Sequence, residues 1–346
     1  MTIALDLGAS AFRSLRMEEE RLAGRSARAI YSVVEDTPVR RQMLDQLQTA
    51  YALCDGSLAI PGDPARDFAE LMHSPLLPLL PEGDLPARDP ASRQMIAALV
   101  EGLMEPPTEP GELCGLTLPG MSGSVSGRDS ETAEFLMQII RLQGYEPLPI
   151  TPGTALVLAD LVGDGFTGIG MTFGAAACHV SLVYRSLEIA SCVVSRGGNW
   201  IDEQLAETTE QYLWDAKGNR YLDAETMCRW KESSAADLST KGTTDRDAGL
   251  VRLYSELVDD VVQKASKVFS TSLDIPSAWP AMSVVACGGV TRIRGFVPML
   301  AGAVREAELP VKVKQVRLSE DSDFTIARGC LIKAELDAEE AQGRAA

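Results

Sequence analysis

Residues 2–13 of the 346-residue chain read TIALDLGASAFR. The first part of this stretch is apolar and β-prone, and the second part opens with the small residues Gly8 and Ser10. This order predicts a strand that enters a tight turn of the size that holds a phosphate group. Because Gly8 has no β-carbon, the backbone N–H groups of the turn can approach an anion with no side chain in between.

A second stretch of the same kind begins near residue 167. Residues 166–194 contain three β-prone runs, TGIGMTF, CHVSLVY and EIASCVV, separated by small or polar residues. This pattern is typical of a meander of hairpins. Helical periodicity marks residues 93–104 and 249–271, so the sequence as a whole predicts an α/β protein made of two related halves.

The composition excludes several classes of protein. The formal net charge is −17, and duplex nucleic acid and anionic lipid both need a cationic face, so neither is expected as the main partner. No apolar run has the length of a membrane span and the first residues do not resemble a signal peptide, which predicts a cytoplasmic protein. The seven Cys are scattered and only two His are present, so neither a disulfide framework nor a zinc site is expected.

Three glycine-bearing turns follow one another along the chain, at residues 6–10, at residues 173–177 and at Gly288 and Gly289, with Gly295 shortly after. In the order and spacing of these turns, the chain resembles the actin-like ATPase superfamily over nearly its whole length. It resembles the bacterial actin MreB most of all. The resemblance implies an actin-like fold, in which two related α/β halves surround a central nucleotide cleft and each half carries a smaller inserted subdomain. The same pattern includes the glycine pair at 197–198 and the segment 226–231.

The resemblance also implies a domain organisation. The first half is expected at 1–149 with an insertion at about 36–92, and the second half at 150–321 with an insertion at about 200–264. Residues 322–337 are expected to return to the first half, and 338–346 to form a frayed acidic tail. Within the insertions, the Pro- and Gly-rich residues 54–92 predict a loop-rich segment, and the charged residues 203–247 predict helix.

The ligand implied by the resemblance is ATP or ADP, held by one glycine turn from each half. Other interpretations stay open: Asp6 as a carboxylate that bonds its own turn, Gly288 and Gly289 as an ordinary strand-to-helix turn, and Lys231 as a solvated surface charge. The residues assigned to the nucleotide are Asp6, Gly8, Ser10, Arg13 and Gly174 on the phosphate side and Lys231, Gly288, Gly289 and Gly295 on the adenosine side.

The chain departs from the family pattern at the positions that carry the chemistry. Thr172 stands where the family has the Asp that binds magnesium through water, and Thr151, ahead of Pro152, stands where a Glu or Gln orients the attacking water. Residues 175–177 are all Ala and crowd the second turn, and His179 is expected to pack beside it. A hydroxyl is not a general base near neutral pH, so the sequence predicts no catalytic residue and at most a very slow ATPase. Magnesium, through water on Asp6, stays open.

Two functions are compatible with these features. The first is a cytoskeletal, MreB-related protein that assembles with itself or with related actin-like proteins, and the second is a non-polymerising regulatory or adaptor protein of the same fold. An active sugar or acid kinase would need a catalytic Asp in a substrate loop, for which the sequence offers no candidate. Direct membrane binding is not expected, because the loop at 105–112 is acidic; the run LLPLL at 76–80 is either an exposed contact patch or a buried loop.

Overall fold

A computed structural model gives the structure of the protein. Its residues fall into two compact units, one with the chain up to Ile150 together with the segment from Ile326 onward, and the other covering Thr151–Thr325. Among the described residues, no helix is long and apolar enough to cross a membrane. The structure describes residues 2–19, 21–72, 74–86, 89–119, 131–214, 218, 220–233, 236–240, 244–272, 279–321 and 323–345.

Strands and helices are interleaved in both units. The first unit contains β1 (Ile3–Leu7), β2 (Ala11–Glu18), β3 (Arg21–Arg28), β4 (Ile30–Glu35), α1 (Pro38–Gln46), β5 (Ala52–Cys54), β6 (Ser57–Pro61), α2 (Asp63–Met72), β7 (Leu76–Pro78), α3 (Pro90–Leu103), β8 (Leu113–Thr117), α4 (Glu131–Leu142) and β9 (Glu146–Pro149). The second contains α5 (Pro152–Asp160), β10 (Gly168–Phe173), β11 (Cys178–Tyr184), β12 (Leu187–Val194), α6 (Gly198–Thr208), β13 (Tyr212–Trp214), β14 (Arg220–Leu222), α7 (Ala224–Ser233), α8 (Asp245–Ser272), β15 (Met282–Cys287), α9 (Phe296–Glu306) and β16 (Val313–Leu318), and α10 (Thr325–Ala345) ends the chain.

The main sheets of the two units have the same topology. Their strand orders are β3-β2-β1-β8-β9 and β12-β11-β10-β15-β16. In each sheet the central strand forms an antiparallel hairpin with the next strand in sequence and pairs in parallel with a strand that arrives much later. Parallel neighbours need a long crossover connection, which helices provide here. The internal repeat predicted from the two glycine-turn stretches is confirmed.

Successive side chains of β1 and β10 point to opposite faces of their sheets, and most of them are buried. Ile3, Leu5 and Leu7 are fully buried in the first unit's core, which helices α3 and α4 complete. In the second unit one face of β10 packs on helices α8 and α9, where the rings of Phe173 and Phe296 meet edge to face at 5.0 Å. The long amphipathic helix predicted at 249–271 is confirmed as α8, whose buried stripe is Leu250, Leu253, Leu257, Val258, Val261, Val262 and Ala265.

Helix α5 covers the opposite face of β10 at backbone contact distance. A β-carbon on Gly170 would lie 2.1 Å from the Gly153 carbonyl oxygen, so neither glycine can be replaced without moving the helix. This contact fixes the start of α5, and with it Thr151, against strand β11. Two glycines thus set the position of Thr151.

Four local predictions differ from the structure. Residues 54–92 are not loop-rich: they contain β6, β7, α2 and the first turn of α3, and form a four-stranded sheet with β4 and β5. Residues 203–247 are interrupted by the hairpin β13–β14, because short β-prone runs at 212–214 and 220–222 are hidden among charged residues. In the 76–80 run Leu79 and Leu80 are buried, so the contact-patch interpretation is wrong for them. The terminal segment from 338, expected to fray, continues α10 as far as Ala345.

Helix α10 packs directly against β8 of the first unit, and a glycine on β8 makes this close approach possible. A β-carbon on Gly115 would come 2.2 Å from the carbonyl oxygen of Cys330 and 3.4 Å from the Ala334 β-carbon. Both atoms belong to the helix, and one of them is backbone, so a larger residue would displace the helix from the sheet.

We therefore expect G115A to lower the free energy of unfolding by about 3 kcal/mol or more, as measured by urea unfolding followed by circular dichroism. The control is G102A: Gly102 lies in α3 with open space around it, so its replacement should raise stability by about 0.5 kcal/mol. Equal effects of the two substitutions would contradict the close approach of α10.

Candidate functional site

The first glycine turn joins β1 to β2. The N–H of Gly8 donates to the carbonyl of Ala11 over 3.2 Å, and the carbonyl of Ser10 accepts from the N–H of Ala29 over 3.1 Å. The N–H groups of Ala9 and Ser10 take no part in these bonds, and Ser10 is exposed. Two consecutive amides of the turn are thus outside these bonds, and glycine turns with such amides are a common way to bind an anion.

Asp6 is held by neighbouring strands. Its Oδ1 accepts a hydrogen bond from the Thr117 hydroxyl on β8 at 2.8 Å, and its Oδ2 lies 3.7 Å from Nη1 of Arg13 on β2. Burial raises the pKa of Asp6 above its ordinary value, while Arg13 and Thr117 act in the opposite direction. These partners lie on other strands and not in the turn, so they place the carboxylate between β2 and β8.

The second glycine turn joins β10 to β11 and closes in the same way. The N–H of Gly174 donates to the carbonyl of Ala177 over 3.0 Å. The carbonyls of Gly174 and Ala175 accept from the N–H groups of Gly198 and Asn199, each over 2.9 Å, which ties the turn to the start of α6. The N–H groups of Ala175 and Ala176 take no part in these bonds, so the three alanines leave the turn with two presented amides as well.

Gly288 directly follows β15, and its backbone packs against β10. Its φ is +112°, and a β-carbon there would lie 2.2 Å from the carbonyl oxygen of Phe173. Its own carbonyl accepts from the N–H and the hydroxyl of Thr291, over 3.1 and 2.8 Å. Gly289 has open space around its α-carbon. The structure therefore brings Gly288 to the end of β10, next to the second turn.

Gly295 serves a different contact. Its φ is +83°, and a β-carbon would come 2.7 Å from the N–H nitrogen of Ser239 and 2.8 Å from the Asp237 carboxylate. The N–H of Leu238 donates to the carbonyl of Arg294 over 2.9 Å and holds the same loop. Gly295 thus allows the loop at 237–239 to pack on the start of α9.

Lys231 is not a solvated charge. Its Nζ lies 2.7 Å from Oδ1 of Asp202 and donates to the carbonyl of Gly198 over 3.2 Å, so it joins α7 to the first turn of α6. Asp202 is only 3% exposed, and burial raises its pKa to about 6 although Lys231 favours the charged form. Sequence reasoning missed Asp202 as a partner of Lys231, because the two residues lie on different helices and no spacing within one helix links them.

Thr172 and Thr151 are both buried. Thr172 stands opposite His179 in the β10–β11 ladder, and His179 is buried beside the hairpin as predicted. Thr151 precedes α5, but its side chain makes no hydrogen bond that caps the helix. Its hydroxyl lies in hydrogen-bond contact with the hydroxyl of Thr154 at 2.8 Å, with that of Ser181 at 3.1 Å and with the carboxylate of Glu188 on β12. Sequence reasoning missed Glu188, whose only signal was a charged residue inside an apolar β run.

The described residues hold no group of three or more His, Cys, Asp or Glu side chains that could bind a metal ion. The seven cysteines are free thiols, and most of them are buried. Among the residues assigned to the nucleotide from the sequence, Asp6 is the one carboxylate, and it is already bonded to Thr117 and near Arg13.

Asp202 supports a prediction on pH dependence. Since its pKa is about 6 in the folded protein against an ordinary 3.8, the folded state binds this proton more tightly. The stabilisation from the Asp202 proton is complete below about pH 4 and is lost as the pH rises to about 6. This loss lowers the free energy of unfolding by at most about 3 kcal/mol. Thermal unfolding should therefore show wild type losing stability relative to D202N over this range, and no further change up to about pH 8. A difference that is constant from about pH 4 to about pH 8 would contradict the assignment.

The comparisons with known proteins identify the family and the fold. The chain matches the volactin family over residues 1–334. It is similar to a MamK double helical filament, with 15% identity, 97% of this chain and 99% of that chain covered and a TM-score of 0.70. It is also similar to MreB 5 of Spiroplasma citri bound to AMPPNP, with 12% identity, 99% and 98% covered and a TM-score of 0.66, and to the same protein bound to ADP, with 12% identity, the same coverage and a TM-score of 0.64.

No curated protein matches the chain significantly. The likeness to the solved structures extends over almost the whole chain and confirms the α/β fold predicted from the glycine turns. The chain belongs to the volactin family and has an actin-like fold.

Proposed function

We propose that this chain is a cytoplasmic, filament-forming actin-like protein that binds ATP or ADP and hydrolyses it very slowly. The observation that carries the proposal is the repeated glycine turn, which closes with the same bond in both units and presents two amides in each. The likeness to a MamK filament supports self-association, and the likeness to MreB 5 bound to AMPPNP and to ADP supports nucleotide binding.

Each of the two turns is assigned, within its own unit, a contact to phosphate. Gly8 and Ser10 would offer backbone amides from the first unit and Gly174 with its neighbours from the second, and Arg13 adds a cation beside the first turn. Backbone amides at a glycine turn bind phosphate without a metal, so the absence of the family's second-turn carboxylate does not abolish this site. The residues present fit a phosphate group.

The adenosine side is assigned to Lys231, Gly288 and Gly289, while Gly295 would act only by letting the loop at 237–239 pack on the start of α9. Gly288 brings the backbone close to the end of β10, and Lys231 is fixed there by Asp202 and the carbonyl of Gly198. Because these two contacts already hold the Lys231 amine, it would meet the nucleotide from a fixed position, unlike the amine of a flexible surface lysine.

We expect slow hydrolysis because of the side chains at positions 172 and 151, which are both Thr. Phosphoryl transfer needs a positioned water and neutralisation of the developing charge, usually by magnesium. Thr172 offers a buried hydroxyl in place of a carboxylate, and Asp6 is already engaged with Thr117 and Arg13, so the residues present fit magnesium poorly. Each tenfold loss of rate corresponds to about 1.4 kcal/mol of barrier. A Thr at position 172 in place of the family's Asp, together with a Thr at position 151 in place of its Glu or Gln, would amount to several such factors.

Self-association has a candidate surface in the hairpin β13–β14. Leu213, Trp214 and Tyr221 are 57%, 67% and 54% exposed, and a two-stranded sheet of this size is marginal on its own. The net charge of −17 makes copies of the chain repel one another, and salt screens this repulsion. A second copy that covers the hairpin would remove the apolar side chains from water.

Negative-stain electron microscopy and sedimentation of the purified protein test the proposal. With ATP present we expect filaments, and more of them at about 1 M than at about 0.1 M KCl, because screening weakens the repulsion between acidic copies. Absence of filaments at every salt and nucleotide condition would favour the non-polymerising adaptor.

The double variant L213S/W214S should reduce the sedimented fraction at least tenfold while nucleotide binding is retained, because the hairpin would no longer gain from burial. The control is L142S, since Leu142 is 75% exposed on α4 of the other unit. An equal loss for both variants would exclude the hairpin as a specific contact.

A further inference from the structure

Strand β3 is an open edge of the first unit's main sheet. It is the last strand in the order β3-β2-β1-β8-β9, and among the described residues only β2 pairs with it. None of its eight residues is buried and six are exposed. Edges of this length usually carry a proline, a bulge or a cover that keeps other strands from pairing. Residues 21–28, RLAGRSAR, contain no proline, and their register with β2 runs without a bulge.

The outward backbone groups of β3 belong to residues with apolar or short side chains. The N–H of Arg28 donates to Oδ2 of Asp63 over 3.4 Å, so at this residue the N–H points away from β2. In an antiparallel pair, hydrogen-bonded and non-hydrogen-bonded positions alternate along the strand. The N–H and C=O groups of Leu22, Gly24 and Ser26 therefore point outward as well. No backbone hydrogen bond joins these outward groups to another described segment of the chain.

The charged side chains of β3 are all arginines, in a chain of net charge −17. Arg21 and Arg25 lie on the same face of the sheet as Arg16 of β2, because side chains alternate along both strands. Glu105 pairs with both Arg25 and Arg16, and Arg16 also lies 3.2 Å from Glu18. On this face the described arginines of β2 and β3 thus outnumber the carboxylates that pair with them, and Arg21 is exposed.

The other face of β3 offers an apolar contact. Leu22 is 50% exposed and lies opposite Met17 of β2, which is 36% exposed. A strand added outside β3 would place every second side chain beside Leu22 on this face and the remaining ones beside Arg21 and Arg25 on the other, since neighbouring strands align their side chains. The edge therefore suits a strand in which acidic and apolar side chains lie on opposite faces.

A second copy of the chain fits this edge poorly. If two β3 strands paired antiparallel, Arg21 and Arg25 of both copies would lie together on one face, and like charges at that distance are destabilising. We propose that the outer edge of β3 binds an extended, acidic segment of a partner protein, which adds a strand to the five-stranded sheet. Backbone hydrogen bonds to Leu22, Gly24 and Ser26 hold the segment, and the two arginines favour carboxylates four positions apart. This binding needs no nucleotide.

The charge preference is tested by fluorescence anisotropy with a labelled peptide, Glu-Val-Thr-Val-Glu-Val-Thr, and a second peptide in which Lys replaces both Glu. At about 0.1 M KCl the acidic peptide should bind at least about tenfold more tightly than the basic one. R21E/R25E should weaken its binding at least about tenfold. The control R229E/R252E makes the same change of charge at exposed, ion-paired arginines of α7 and α8, and should bind within about twofold of wild type.

Strand addition is tested at the backbone. S26P removes an outward N–H without removing a bond to β2, and proline is tolerated at such edge positions. It should bind the acidic peptide at least about tenfold more weakly, whereas S26A should bind as wild type does. In wild type, saturating acidic peptide should slow hydrogen exchange of residues 21–28 at least about tenfold. If S26P melts at a lower temperature than S26A, this exchange measurement decides.

Three results would overturn the proposal. The first is no binding of the acidic peptide at about millimolar concentration, or equal binding of the basic one. The second is unchanged hydrogen exchange of residues 21–28, which would make the arginines a charged patch only. The third is a lower sedimented fraction of R21E/R25E alone, relative to R229E/R252E, which would show that β3 pairs with a second copy.

Discussion

The second unit depends on a set of backbone contacts at the end of β10 that leave no room for a side chain. Gly288 lies against the Phe173 carbonyl, where a β-carbon would be 2.2 Å from the oxygen. The next two carbonyls, of Gly174 and Ala175, accept from the amides that begin α6. The end of β10 thereby fixes the second turn, the start of α6 and the end of β15. These elements can lie so close together because glycine has no β-carbon.

The first unit repeats the turn but surrounds it differently. Its turn closes with the same bond, from Gly8 to Ala11, and its central strand has the same antiparallel and parallel neighbours. The side chains below the turn are charged, however: Asp6 and Arg13 face one another with Thr117 beside them. The two units thus share the backbone of the turn, while the second unit has Thr172, paired with His179, below its turn.

Much of the fold could be predicted from sequence because it depends on glycine turns and on periodicity. Turns at 6–10 and 173–177 and the amphipathic helix at 249–271 are local patterns, and local patterns are visible in a sequence. The pair of Lys231 with Asp202 and the bond of Thr151 to Glu188 are contacts between elements distant in sequence, and no spacing rule reveals them. The hairpin at 212–222 was missed because its strands are only three residues each.

We propose that the backbone turns bind nucleotide without the metal-binding side chains of the family that the chain resembles. Calorimetric titration with ATP and with ADP, each with and without magnesium, tests this most directly. We predict that both nucleotides bind, with affinities within about tenfold of each other, a difference of about 1.4 kcal/mol, and that magnesium changes them little. ATP binding about a hundredfold tighter than ADP and only with magnesium would contradict the account, as would no binding of either at about millimolar concentration.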